Sequence, residues 1–197
     1  GSWNSDVGMG GSYTGFSLGD SVSDVTVETD ADGYVDKMNT WYGASDNLRD
    51  FTRTAQMMNY EGMKALYEGM CHIGREGLLM WMSQSAWPSM VWQTYDYYYD
   101  TNAGYFGIKK ANQPINAILN QSTNQLSLVN ATPNARTGLQ TTLTVYDLNG
   151  KVVHEANFQN DIAADSTTVL CTMPTLTGVT PIRFVRTTVS DKAGNRL

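Results

Sequence analysis

Two stretches of this chain carry side chains at spacings that could do chemistry. The first is Glu28-Thr-Asp30-Ala-Asp32-Gly33-Tyr34-Val35-Asp36. Oxygen-bearing side chains at relative positions 1, 3, 5 and 9, with glycine at 6 for the sharp turn, mimic a calcium loop. The match departs from that pattern: position 1 is Glu rather than Asp, position 12 is Asn39 rather than a bidentate Glu, and no entering helix is visible. A structural calcium held by Glu28, Asp30, Asp32 and Asp36 is one reading, and a solvated acidic turn fits the departures better. The second stretch begins with the apolar run Leu78–Met82 and opens into Ser83, Gln84, Ser85, Ala86, Trp87 and Pro88, followed by a cluster of aromatic residues. An apolar run of that length suits a strand buried on both faces. A buried strand that ends in polar and indole side chains is how a (β/α) barrel presents a sugar site at its C-terminal face.

The elements that must position these residues can be read in order. Residues 3–44 are rich in Gly, Ser, Asp and Thr and show no helical period. They read as a long ordered loop with one short strand at Val25–Val27. Ser45 or Asp46 caps a helix from Asn47 to about Ile73. Phe51, Ala55, Met58, Gly62, Leu66 and Met70 recur there at helical spacing, with Glu61 and Glu68 on a solvated face. Gly74 is the expected C-cap. After the aromatic loop a short helix, Ala103–Lys110, precedes a boundary at Gln113-Pro114, since proline favours an extended entry. Six short strands follow: Ile115–Leu119, Gln125–Asn130, Leu139–Asp147, Lys151–Phe158, Ser166–Thr172 and Ile182–Ser190. Leu139, Leu143 and Val145 alternate with Gln140, Thr142 and Thr144, as in a half-buried strand. Asn149-Gly150 signals a two-residue type I′ hairpin. The pattern implies two domains, residues 1–112 and an all-β, immunoglobulin-like sandwich over 113–197. The closing turn, Ser190–Asn195, should lead into another strand, so the sandwich reads as truncated by one strand, with an exposed edge.

Composition narrows the function classes. Thirteen basic and nineteen acidic residues give a net charge of −6, with no Lys/Arg cluster. That balance argues against nucleic acid or an anionic membrane as partner. No apolar run is long enough to span a bilayer. Cys71 and Cys171 read as free thiols, and His72 and His154 stand alone, without a partner at metal-ligand spacing.

The second stretch also resembles a known family. Trp81, the S-Q-S-A-W of Ser83–Trp87, the W-Q-x-Y-D of Trp92–Asp96 and the G-Y-F-G-I-K-K-A-N of Gly104–Asn112, with Pro114 behind it, are similar to the last barrel strand and helix of family-two glycoside hydrolases. The branch resembled is that of the exo-β-glucosaminidases and β-mannosidases, and the similarity runs from about Ser45 to the C-terminus. It implies an α/β remnant, the last strand and helices of a TIM barrel, followed by the sandwich.

Further expectations come with the resemblance. In that family the end of this strand walls the subsite that holds the sugar being cleaved. Trp81 and Trp87 carry over as stacking platforms, because a pyranose has an apolar C–H face and a hydrogen-bonding rim. Ser83 and Gln84 carry over as polar partners, although other residues stand there in the glucosaminidases. Trp92, Tyr95, Tyr97, Tyr98 and Tyr99 read as packing against the next domain. Both catalytic groups of the family are glutamates on earlier barrel strands, and nothing in 1–197 matches their motifs. Glu28 lies too close to the helix that follows to be the nucleophile.

The resemblance therefore implies a fragment of a retaining exo-β-glycosidase, inactive by itself and requiring no cofactor. It also implies a secreted or periplasmic parent enzyme, whose carbohydrate substrate and missing barrel portion are the partners. The competing reading is a non-catalytic carbohydrate-binding or adhesion module.

Overall fold

The structure is a computed structural model that describes residues 16–18, 25–27, 34–72, 77–80, 83, 84, 86 and 93–197. The described residues divide into two compact units. One lies within Gly1–Leu66 and Leu79–Lys110, the other within Tyr67–Leu78 and Ala111–Leu197.

The first unit begins with a small antiparallel pair, β1 (Phe16–Leu18) and β2 (Val25–Val27), in which Phe16 lies opposite Val27. Helix α1 (Tyr34–Tyr42) follows, where the sequence shows no helical period. Its anchor is one fully buried side chain, Met38. Gly43 ends it in the left-handed region (φ +85°), donating its N–H to the Asn39 carbonyl at 2.9 Å. That is the single-bond glycine cap of a helix C-terminus, which spares the carbonyl an unpartnered end.

Helix α2 (Leu48–His72) is capped one residue later than expected. The Asn47 side-chain oxygen accepts the Asp50 N–H at 3.0 Å, and the Asn47 carbonyl accepts the Phe51 N–H. Asparagine is as good a cap as Ser45 or Asp46 and stands next to the first turn. Phe51 of the expected stripe is buried, while Met63, outside that stripe, is the most buried apolar residue of α2, and Met58 and Leu66 are half-buried. Glu68 is buried, contrary to a solvated face, while Glu61 is exposed and accepts the Tyr42 hydroxyl of α1.

Helix α3 (Ala103–Ala111) lies close against α2. A Cβ at Gly107 would run into the backbone carbonyl of Tyr60, and one at Gly104 would meet the Asn59 side chain. Gly104 and Gly107 thus permit a backbone approach that any larger residue would block. Residues 77–80 form no strand, and Leu79 is 99% exposed. The buried barrel strand suggested by Leu78–Met82 is not formed over these residues. A strand needs neighbours on both edges to pair its N–H and C=O groups, and none lies beside residues 77–80 among the described residues.

The second unit contains two three-stranded antiparallel sheets. β3 (Ile115–Asn120), β4 (Gln125–Asn130) and β7 (Ser166–Thr172) run in the order β3-β4-β7. β5 (Arg136–Asp147), β6 (Val152–Ile162) and β8 (Arg183–Ser190) run in the order β6-β5-β8. All six strands read from the alternation pattern are present.

Leu126 and Leu128 of β4, Leu139, Leu143 and Val145 of β5, and Val189 of β8 belong to one core. The Thr187 hydroxyl of β8 donates to the Ala117 carbonyl of β3 at 3.4 Å, linking the layers. In β4 the other face is buried too, at Ser127 and Val129, so this strand is apolar or small on both sides. Asn130 is fully buried and fully used. Its amide donates to the Asn134 and Ala163 carbonyls at 2.9 and 2.8 Å, and its oxygen accepts the Thr132 N–H and hydroxyl.

The β5–β6 turn is not the two-residue type I′ hairpin expected at Asn149-Gly150. Among these residues only Gly150 has a positive φ (+75°), the Gly150 N–H reaches the Asp147 carbonyl at 3.1 Å, and a bulge shifts the register at Val145/Tyr146. This is a type I turn closed by a left-handed glycine. The Asp147 carboxylate selects it, accepting the Asn149 and Lys151 N–H groups at 2.8 and 2.9 Å. No helix among the described residues is long and apolar enough to cross a membrane.

Candidate functional site

The residues proposed from sequence fall into three groups. Trp81 and Trp87, together with Glu28, Asp30 and Asp32, lie outside the described residues. Asp36 stands on an exposed position of α1, where its carbonyl accepts the Thr40 hydroxyl at 2.7 Å. Among the described residues no cluster of three or more His, Cys, Asp or Glu side chains could hold a metal. Ser83 and Gln84, of the proposed sugar-binding residues, are the two that the structure describes.

Both are tied to the segment after the aromatic loop. The Ser83 carbonyl accepts the Tyr95 N–H at 3.0 Å and the Thr94 hydroxyl at 3.2 Å. Gln84 and Tyr95 form a parallel bridge, and the Gln84 side-chain amide donates to the Tyr97 carbonyl at 3.4 Å. Gln93 and Thr94 are buried beneath this crossing. Tyr95 makes a second, antiparallel bridge to Thr101.

Asn102 then joins the crossing to α3. Its amide donates to the Gln93 carbonyl, and its oxygen accepts the Tyr105 N–H at 3.3 Å, capping the helix. Gln56 of α2 accepts the Ala103 N–H at 2.7 Å, satisfying another donor that the first turn of a helix leaves open. The Ser83–Gln84 segment is therefore bonded to residues 94–97, a stretch of chain that Asn102 and Gln56 in turn tie to α3 and α2.

The Tyr95–Thr101 bridge closes the loop Asp96–Asp100, built on the same plan as two turns of the sandwich. In each, an aspartate oxygen accepts two backbone N–H groups: Tyr98 and Asp100 for Asp96, Asn149 and Lys151 for Asp147, Ala193 and Asn195 for Asp191. In each, the aspartate N–H reaches the carbonyl four residues on, and its own carbonyl accepts the N–H three residues on. That third residue always has a positive φ. It is Gly150 (+75°) and Gly194 (+85°) in the sandwich, and Tyr99 (+69°) here. A left-handed backbone is ordinary for glycine and strained for an aromatic residue.

The tyrosines of this loop point outward. Tyr97, Tyr98 and Tyr99 are 43%, 69% and 75% exposed, with the Tyr97 and Tyr98 rings edge to face at 5.2 Å. Only Tyr95 is drawn in, 5.7 Å from the Tyr105 ring. Tyr97, Tyr98 and Tyr99 are thus not core residues. The signal that could have separated them was available in the sequence. D-Y-Y-Y-D repeats the spacing of D-L-N-G-K and D-K-A-G-N, with an aromatic residue where the other two have glycine.

The remaining features fit a sugar site less well. A cavity of about 640 Å³ at one end of the sandwich is lined by residues including Pro114, Ile115, Arg136, Leu139 and Lys192, with no aromatic ring among them. It lacks the flat surface on which a pyranose stacks. Cys71 and Cys171 are both free. Burial raises the Cys71 thiol above its ordinary pKa, with the neighbouring Glu68 charge adding to it, and burial raises Cys171 likewise. Both shifts run opposite to the lowered pKa that activates a nucleophilic thiol.

Comparison with known proteins gives a consistent picture. No protein-family model matches the chain. An exo-β-D-glucosaminidase of Amycolatopsis orientalis is 31% identical over 171 residues, which are 82% of this chain and 16% of that enzyme. A mannosylglycoprotein endo-β-mannosidase of Lilium longiflorum is 34% identical over 112 residues, 55% of this chain and 12% of that enzyme.

Among solved structures, the exo-chitosanase of Amycolatopsis orientalis superposes with a TM-score of 0.77 at 31% identity, covering 82% of this chain and 20% of that one. A variant of it has been solved in complex with PNP-β-D-glucosamine. A β-D-mannosidase from Dictyoglomus thermophilum shares the fold, with a TM-score of 0.70 at 16% identity over 83% of this chain and 20% of that one. The chain therefore spans about 16–20% of the length of these bacterial relatives that it matches along most of its own. It is homologous to part of the family-two glycoside hydrolases, on their exo-β-glucosaminidase and β-mannosidase branch.

Proposed function

We propose that the chain is part of a retaining exo-β-glycosidase acting on β-linked glucosaminides or mannosides, and that it contributes sugar-binding side chains rather than the reacting acids. In this reading residues 1–112 supply the last strand and helices of a (β/α) barrel, completed by the rest of the parent enzyme. Residues 113–197 form an immunoglobulin-like sandwich. Trp81 and Trp87 stack on the sugar, and Ser83 and Gln84 bind its hydroxyl rim. The observation that supports this most is the 31% identity to an exo-β-D-glucosaminidase over 82% of the chain.

The chemistry explains why this chain should bind without cleaving. Hydrolysis with retention needs an acid to protonate the leaving oxygen and a carboxylate to attack the anomeric carbon, about 5–5.5 Å apart. Neither of the family's glutamate motifs occurs in this sequence. No calcium is required in this reading, so a calcium chelator should leave the melting temperature unchanged.

The test is a panel of β-linked glucosaminides, mannosides and galactosides, titrated while released sugar is measured. Saturable binding of a glucosaminide or mannoside without release is expected. Release of sugar would overturn the absence of the acid pair, and failure of every sugar to bind would overturn the site. Equal binding across the panel, made dependent on calcium, would instead identify an adhesion module.

A further inference from the structure

We propose that Tyr98 and Tyr99 form a binding platform for the outer sugar rings of a β-linked oligosaccharide, beyond the ring held at the candidate site. The inference rests on the reading of that site as a sugar site, and extends it to residues not assigned any role in binding.

Three observations converge. First, Tyr98 and Tyr99 are the two most exposed rings of the loop, at 69% and 75%. Tyrosine offers a large, rigid, amphipathic surface with few rotatable bonds, so contact through it costs little ordering. Second, the loop is held in shape before any ligand arrives. The Asp96 carboxylate accepts the Tyr98 and Asp100 N–H groups at 2.8 and 2.9 Å, and the Asp96 N–H closes the loop on the Asp100 carbonyl at 2.9 Å. Third, Tyr99 occupies the left-handed position that glycine fills in both equivalent turns of this chain. Structure alone asks for glycine there. A strained residue that persists against an available alternative points to a use for its side chain.

The occupant follows from position. The Gln84 side-chain amide donates to the Tyr97 carbonyl, so the platform is one hydrogen bond from a proposed sugar-binding residue. A chain of pyranose rings extending from that residue would present C–H faces, which match an aromatic surface. Asp96 and Asp100 frame the loop with acidic groups, and the chain as a whole carries a net charge of −6. A glycan bearing ammonium groups, such as a β-linked glucosamine oligomer, is therefore favoured over a neutral one.

Calorimetric titration of the 197-residue chain with D-glucosamine and with a β-1,4-linked glucosamine hexamer tests this. In the wild type the hexamer should bind about tenfold more tightly than the monomer, an advantage of the size that stacking on aromatic rings supplies. Tyr98→Ala and Tyr99→Gly should each remove most of that advantage and leave monomer affinity unaltered. Tyr99→Gly should do so with a higher melting temperature, which separates lost contact from lost fold. Hexamer affinity unchanged in both variants, or equal to monomer affinity in the wild type, would overturn the platform and leave the central site standing. Failure of the monomer and hexamer alike to bind would overturn both.

Discussion

Replacing Tyr99 with glycine removes an exposed ring and relaxes a backbone that the rest of the loop forces into the left-handed region, at φ +69°. For a residue with a Cβ that conformation costs about 1–2 kcal/mol. Glycine recovers this but adds freedom to the unfolded chain, a loss of about 0.4–1 kcal/mol. Tyr99 is 75% exposed, so little buried area is given up. The net expectation is a gain of about 0.5–1 kcal/mol, or a rise of about 1–4 °C in melting temperature for a chain of this size. Gly150→Ala is the mirror experiment. Its φ is +75° and an added Cβ would meet nothing within 4 Å, so the backbone term acts alone. It should lose about 1 kcal/mol. Urea titration of both variants reads the pair. A Tyr99→Gly protein no more stable than wild type would refute the claim that Tyr99 is strained, and with it the argument that the ring is kept for binding.

Other perturbations follow from the same geometry. Asn130→Ala strips partners from two carbonyls and the Thr132 N–H in a fully buried site, and should cost about 3 kcal/mol by denaturant titration; a loss below 1 kcal/mol would mean the network is dispensable. Gly107→Val drives a branched side chain into the Tyr60 carbonyl, and should cost more than about 2 kcal/mol, seen as early loss of helical circular dichroism. The Asp191 carboxyl is held below its ordinary pKa by the Asn195 side-chain amide, then by the Asn195, Ala193 and Gly194 N–H groups. Its contribution is therefore present above the unfolded-state value and disappears as pH falls through the lowered folded-state value. Asp191→Asn should be less stable than wild type near neutral pH, with the difference closing below about pH 4; a gap that stays constant through that range would contradict the assignment.

Legibility in the sequence followed how local the controlling physics is. The six sandwich strands were readable because a half-buried strand writes its pairing into two-residue alternation, as Leu139, Leu143 and Val145 do. Helix α2 was readable from its apolar spacing, but its cap fell on Asn47 because several adjacent residues could serve. Helix α1 was missed because its burial rests on Met38 rather than on a repeating stripe.

The Asn149-Gly150 turn was misjudged because the Asp147 carboxylate, two residues earlier, outweighs the dipeptide in choosing the turn. Leu78–Met82 has the composition of a buried strand, yet composition cannot supply neighbouring strands, and Leu79 stands exposed. At the candidate site, Ser83 and Gln84 were singled out by resemblance alone, because their bonds to Thr94, Tyr95 and Tyr97 join segments ten or more residues apart and leave no local pattern. The exposure of Tyr98 and Tyr99 was legible only through the turn spacing shared with Asp147–Lys151 and Asp191–Asn195, because aromatic residues by themselves serve cores and binding surfaces equally well.

The central claim is that the segment following Leu78–Met82 holds an amino sugar without the acids that would cleave it. Saturation-transfer NMR of p-nitrophenyl β-D-glucosaminide, recorded on wild type and Trp87→Ala while nitrophenol release is followed in the same tube, addresses it most directly. The account predicts transfer to the sugar protons in wild type, its loss in Trp87→Ala, and no nitrophenol from either. Transfer that survives the substitution, or nitrophenol from the wild-type chain, would contradict it.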